Sequence, residues 1–384
     1  MKASLAAILA ALFFLSACGG GSGGSGDVAE NKVQLGVYVA DQLVDQQFEL
    51  FRFDTSGAGA VRLSGALQAD GNVGNFFKIS PDGSRVAYRA DQETDEKFEL
   101  YVARLDGSGI DKINEAMIAN GDVSEFAWSP DSAQIVYVAD AEQDGVREVY
   151  LANADGSNHL KINGSVGVPG VVQLSDVKWS PDGRYIAQQV QMVSSGQTVG
   201  INTHDTQNPN SIRVNPTLAI GGSIGVYAWS PDSSRIAYRA DQDIVSVFEL
   251  YSATPDGTVN DKLNGALLMP GGGVARNFAW SPDSSRIAYF AVQDTVGVLE
   301  FYSATPDGAV NDKLNGALLV PGGGVVGNNL AWSPDSRRIA YHADQDTDGV
   351  FELYSATPDG AVNDKLNGAL VTDGDVSGFA WSPR

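Results

Sequence analysis

The feature that most constrains this chain is a Ser-Pro pair that returns about every 50 residues. Its prolines are Pro81, Pro130, Pro181, Pro231, Pro282, Pro334 and Pro383, separated by 49, 51, 50, 51, 52 and 49 residues. A period of this length in β-type sequence specifies an array of small sheets that bury their faces by stacking on one another. The last full copy reads as four strands: Asn328 to Ser333, Arg338 to Ala343, Phe351 to Ala356 and Lys365 to Leu370. Two of the connections, Ser333-Pro334-Asp335-Ser336 and Thr357-Pro358-Asp359-Gly360, are tight turns in which proline presets φ. The other two, Asp344 to Val350 and Pro321 to Val326, are longer. One end of each sheet is thus trimmed, and the other carries the variable loops.

The two ends of the array are complementary. Ala380 to Arg384 opens a unit and stops, whereas Val33 to Leu67 carries the rest of a unit without its opening. In matching register they predict a seventh unit built from both termini. The predicted fold is all-β, a seven-bladed β-propeller of four-stranded antiparallel blades over residues 33–384, its first blade closed by strands from both termini, and a monomer. Closure of this kind hides sheet edges.

All six tryptophans, Trp128, Trp179, Trp229, Trp280, Trp332 and Trp381, stand immediately before Ser-Pro, with Ile79 in that place in the second blade. An aromatic at one strand position in blade after blade is packing material between sheets. The run Trp-Ser-Pro-Asp-(Ser/Gly)-x-x-Ile-Ala-Tyr, followed by Glu-Leu-Tyr and an x-Pro-Asp-Gly turn, resembles the TolB-type propeller repeat, which also occurs in the propeller domains of prolyl-oligopeptidase-like peptidases. The resemblance implies the fold and leaves the function open. The fourth blade departs from it: Gln188 to Arg213 replaces Glu-Leu-Tyr with a Gln-, Ser- and Asn-rich stretch whose outer strands the pattern does not place.

Lys2 followed by an apolar run from Ala3 to Leu15 reads as an export signal over residues 1–17. Leu15-Ser16-Ala17-Cys18 resembles the bacterial lipoprotein box, which implies lipidation at Cys18, the only cysteine in the chain. Residues 18–32, rich in Gly and Ser between Gly19 and Gly26, form the tether. Gly19 after the cysteine resembles the sorting class sent to the outer membrane in Gram-negative cells. The chain is therefore expected to be exported and to meet the membrane through its lipid anchor alone.

With 47 acidic against 25 basic residues the net charge is −22, which argues against nucleic acid as a partner. Few catalytic patterns survive inspection. Gly221-Gly222-Ser223-Ile224-Gly225 matches a nucleophile elbow, as does Gly20 to Gly24, but neither has the strand-to-helix context that the elbow needs. His159, His204 and His342 show no metal-ligand spacing. The glycine-rich loops lack the Lys-Ser/Thr ending of a phosphate loop. Alternate carboxylates Asp344, Asp346 and Asp348, followed by Gly349, form Asp-x-Asp-x-Asp-Gly, the pattern of a calcium loop. The bland reading of the same residues is an acidic turn. A repeated glutamate, Glu49, Glu99, Glu148, Glu249, Glu300 and Glu352, alternates with apolar neighbours, which predicts that it faces solvent or pairs with Arg89 or Arg239 across the strand.

These readings favour a non-enzymatic, envelope-tethered scaffold that binds a protein or a cell-envelope polymer through its acidic long-loop face, with no cofactor other than calcium. The competing classes are a carbohydrate-active lyase or hydrolase using a propeller pocket, and a spacer without a selective ligand.

Overall fold

The computed structural model describes residues 34–162, 172–192, 195, 197–268, 272–318, 324–347, 349–371 and 374–382. The export signal, Cys18 and the tether lie outside the described residues, as do Asp348, Pro383 and Arg384. Among the described residues every regular element is a strand. They form seven antiparallel sheets in chain order, which we number as blades: 35–62, 73–112, 123–161, 172–213, 224–262, 274–313 and 325–365. This is the all-β, seven-bladed propeller class that the Ser-Pro spacing predicts. The chain divides into two compact units, one of residues up to 145 with 151–160, the other of 146–150 with 161 onward.

Blade five shows the common plan. Its strands Ile224–Trp229, Ile236–Ala240, Glu249–Ala253 and Asn260–Lys262 pair in sequence order, and the first carries a register shift between Ile224 and Tyr227. The core lies between successive sheets. Ala187 and Ile201 of blade four pack with Trp229, Ile236 and Tyr251 of blade five, and Leu250 and Leu263 of blade five pack with Trp280 and Tyr289 of blade six. The middle strands are therefore apolar on both faces, like strands covered on two sides.

Three repeated contacts join neighbouring blades. The indole N–H of Trp128, Trp229, Trp280 and Trp332 donates to the carbonyls of Lys78, Lys178, Ala228 and Ala279, each one residue before the matching position in the preceding blade. In the Ser-Pro-Asp-Ser turns, Ser132, Ser233, Ser284 and Ser336 take left-handed φ values between 60° and 65°. A non-glycine residue pays for that conformation. Here the hydroxyl accepts the backbone N–H of Asp82, Asp182, Asp232 and Asp283 in the previous blade, at 2.9 to 3.0 Å. Finally, Gly308 at φ +69° sits so close to blade five that a Cβ there would lie 2.2 Å from the Lys262 carbonyl oxygen, so only glycine fits.

Two expectations need correction. Blade one has three strands, Leu35–Val44, Gln47–Asp54 and Val61–Arg62, and residues 374–382 contain no strand, so the pairing of both termini in one sheet is not formed among the described residues. That segment instead docks on blade seven. Val376 N–H donates to the Phe351 carbonyl and the Trp381 indole to that of Ala331, both at 2.9 Å, the latter being the contact that the tryptophans of blades three, five, six and seven make with the preceding blade. The fourth strand of blade seven is Asn363–Lys365, not Lys365 to Leu370. The ladder ends at Lys365 because the Asn367 side chain takes the Leu353 N–H, as Asn264 takes that of Leu250 and Asn315 that of Phe301. Blade four does form its outer strands, Thr198–Asp205 and Asn208–Arg213.

Candidate functional site: the long-connection ends of the blades

The repeated glutamate is the largest departure from the sequence reading. Glu49, Glu99, Glu249, Glu300 and Glu352 are all buried, with Glu300 only 3 % exposed. A third strand covered on both faces has no solvent side to offer, so the alternation that suggests exposure is misleading. Nor do the carboxylates meet Arg89 or Arg239. Each pairs with a basic residue of the fourth strand: Glu49 with Arg62 at 2.8 Å, Glu99 with Lys112 at 2.7 Å, Glu249 with Lys262 at 2.8 Å, and Glu148, Glu300 and Glu352 with Lys161, Lys313 and Lys365. A tyrosine two residues on, such as Tyr251 or Tyr302, donates its hydroxyl to the same glutamate at 2.7 and 2.9 Å. The lysine also reaches a carboxylate of the long connection: Glu93, Asp243, Asp294 or Asp346.

The electrostatics follow from this arrangement. Burial works against the charge on Lys313, but Glu300 and Asp294 outweigh it and hold the ammonium above its ordinary range. Burial, reinforced by Glu300, pushes the Tyr302 phenol far up, so it stays a donor. Around Glu99, Glu249, Glu300 and Glu352 this is a satisfied structural network, whereas Glu49, with Phe51 in place of the tyrosine, keeps one buried oxygen without a partner.

The first aspartate of the long connection has a different task. Asp241 accepts the backbone N–H of Ser223, in the preceding inter-blade connection, with one oxygen and that of Ser246, in its own loop, with the other. Asp140 does the same with Asp122 and Gly145, at 2.7 and 3.0 Å. Asp91 and Asp344 repeat the clamp, the latter with Gly324 and Gly349. Blade six has Val292 in this place. Of the calcium-loop residues, Asp344 is thus committed to two backbone donors and Asp346 to Lys365, while Asp348 lies outside the described residues. As arranged, the described pair does not fit a calcium ion, because Asp346 reaches one only by releasing Lys365. No group of three or more metal-ligating side chains converges among the described residues.

The other catalytic patterns are likewise absorbed by structure. Ser223 precedes a strand and gives its N–H and hydroxyl to Asp241, so Gly221 to Gly225 is a loop clamp. Gly20 to Gly24 lies outside the described residues. His204 and His342 are buried strand residues, and burial lowers both imidazole pKa values. His159 bonds the Gly156 carbonyl at 2.6 Å. The signal for the buried glutamates was present in the sequence as a lysine 13 residues after each of Glu99, Glu249, Glu300 and Glu352.

No family model matches the chain. No curated protein matches it either. Among solved structures it is similar to dipeptidyl peptidase 4 of Porphyromonas gingivalis, with a TM-score of 0.59 and 13 % identity over 84 % of this chain. The likeness is one of fold, and the chain spans half the length of that peptidase. A putative TolB from Agrobacterium tumefaciens aligns at a TM-score of 0.37 and 17 % identity, over 62 % of this chain and 80 % of its own. An oligogalacturonate lyase from Vibrio parahaemolyticus aligns at 0.44 and 13 %, over 84 % and 86 %.

Proposed function

We propose that this chain is a non-enzymatic binding propeller, exported and held at the cell envelope through Cys18, that engages a protein partner through the long connections of its blades. One observation carries the reading. Ile220 is fully exposed, and Ile244 and Val296 are 61 % and 58 % exposed, all on long connections. A Cβ on Gly221 would meet Val245 at 3.7 Å, so the loops of Ile220 and Ile244 adjoin. Half-exposed Asp243 and Asp294 stand on the same connections. Apolar side chains left in water beside carboxylates suit a partner surface with apolar anchors and a basic rim. A hydrated polymer would leave the isoleucines unsatisfied.

The test is quantitative recovery of envelope proteins on the mature chain, compared with an Ile244→Glu, Val296→Glu variant. The reading expects a defined partner that the variant loses. Equal recovery by both baits, or none by either, would refute it.

A further inference from the structure

One face of blade four lacks the network that the other blades carry. In blade five Tyr238, Tyr251 and Lys262 stand opposite one another across the second, third and fourth strands, and Glu249 stands two residues before Tyr251. Blades two, six and seven repeat this set with the same residue types. In blade four the register puts Gln188, Asn202 and Arg213 in the row and Gly200 in the place of the glutamate. Residues opposite one another on antiparallel strands share a face, as do residues two apart on one strand, so all four belong to one face of the sheet. The blade thus keeps the cation of the network and loses its carboxylate and both phenols. Arg213 is exposed at the outer edge, and Gln188 lies two strands further in, so the row runs from solvent into the blade.

The groups left on this face lack partners. Gln188 is 1 % exposed, and neither its amide oxygen nor its amide nitrogen has a hydrogen-bond partner. A buried amide left in that state is unfavourable and asks for a reason. Gly200 is not demanded by the backbone, because its φ is not left-handed and a Cβ there would make ordinary contacts, 3.6 Å from both the Arg213 Cζ and the Val190 Cβ. The missing side chain therefore leaves room directly beside the guanidinium. Nη2 of Arg213 donates to the Val199 carbonyl at 2.5 Å, which holds the fork over Gly200. Burial lowers the Arg213 pKa, and what works against that is the Tyr238 phenol of blade five, not a carboxylate.

We infer that this face of blade four binds a small hydroxycarboxylate. Its carboxylate lies over Gly200 on the Arg213 fork, in the place that Glu249 takes beside Lys262 in blade five, and its hydroxyls bond the Asn202 and Gln188 amides. The class follows from the donor set. A guanidinium fork takes a carboxylate bidentately. Each amide needs a donor for its oxygen as well as an acceptor for its nitrogen, which hydroxyls supply and a bare carboxylate does not. The site shares no residue with the protein contact proposed above, and either reading survives failure of the other.

The test titrates the protein with sodium gluconate, sodium acetate and sorbitol at constant sodium, read by calorimetry and by the arginine Nε–H resonances. Gluconate is expected to bind saturably, to raise the melting temperature and to move the Arg213 resonance, with acetate and sorbitol each at least about tenfold weaker. Gly200→Glu supplies the carboxylate from within, and Arg213→Met removes the fork; each should weaken gluconate binding at least about tenfold. Gln188→Met removes the unpaired amide at similar volume, so it should melt higher than the parent without ligand and bind gluconate more weakly. Arg213 is exposed, so its variant carries the test even where a buried substitution prevents folding. No saturable binding of gluconate, binding of acetate as tight as that of gluconate, or unchanged binding in Arg213→Met overturns the inference.

Discussion

The Ser284 hydroxyl offers a sharp test of how the blades are joined. Ser284 is buried at φ +62° and accepts the Asp232 N–H of blade five at 2.9 Å. Replacing it by alanine keeps a Cβ in the left-handed region and removes the acceptor, which costs about 1 kcal/mol, the net worth of one such hydrogen bond. Replacing it by glycine loses the same bond but releases the left-handed penalty, again about 1 kcal/mol. Ser284→Gly should therefore lie within about 0.5 kcal/mol of the parent, and Ser284→Ala about 1 kcal/mol below it. Glycine already holds this place in blades two and four, as Gly83 at φ +70° and Gly183 at φ +74°. Ser336 bonds the turn that holds Ser284, and Ser284 the turn that holds Ser233, so those three sites can couple; Ser132, which bonds Asp82, should add independently, so Ser132→Ala with Ser284→Ala should cost about 2 kcal/mol and the glycine pair close to nothing. Chemical denaturation midpoints at unchanged slope read the difference. An alanine variant as stable as the parent, or a glycine variant less stable than the alanine one, would refute the argument.

Other consequences are open to measurement. Lys313→Met strands the buried Glu300 carboxylate and should cost about 2 kcal/mol, discounted for the lysine's partial exposure, whereas Glu300→Gln with Lys313→Met should recover much of it in a double-mutant cycle. Gly308→Ala forces a Cβ to 2.2 Å from the Lys262 oxygen at a left-handed φ and should cost more than about 2 kcal/mol, seen as a lowered melting temperature. The Ser129 hydroxyl and the Ala133 N–H hold Asp131 below its ordinary value of 3.8, against slight burial, so its contribution is complete above that value and lost as the pH falls through the lower folded-state value. Asp131→Asn should flatten that part of an acid-unfolding curve. Because Asp344 clamps two backbone donors and Asp346 holds Lys365, calorimetric titration with calcium should give the same heats for the parent and for Asp346→Ala; a loss of heat in the variant would restore a calcium site.

Much of this architecture is legible in the primary structure because it rests on local chemistry. Pro presets the turns, Asp caps them, and a tryptophan before six of the seven Ser-Pro pairs marks the strand that docks on the previous blade in blades three, five, six and seven. These signals repeat at a fixed period, so seven sheets follow from counting. Strand ends were less legible, since the Asn at the close of the fourth strand in blades two and four to seven acts on a backbone N–H 14 residues away, as Asn264 does on Leu250. The candidate sites were least legible. Glu300 alternates with apolar neighbours, and an isolated sheet would turn it to water.

What the sequence determined by itself is therefore the number of units, their turns and the residue that joins them, all settled within one repeat. Only the tertiary structure decided that the glutamates are buried against lysines and that the first aspartate of the calcium-like loop clamps two segments. The physical reason is that a blade covered on both faces has no solvent side, so the surroundings of a polar residue are set by the neighbouring sheet and by connections distant along the chain.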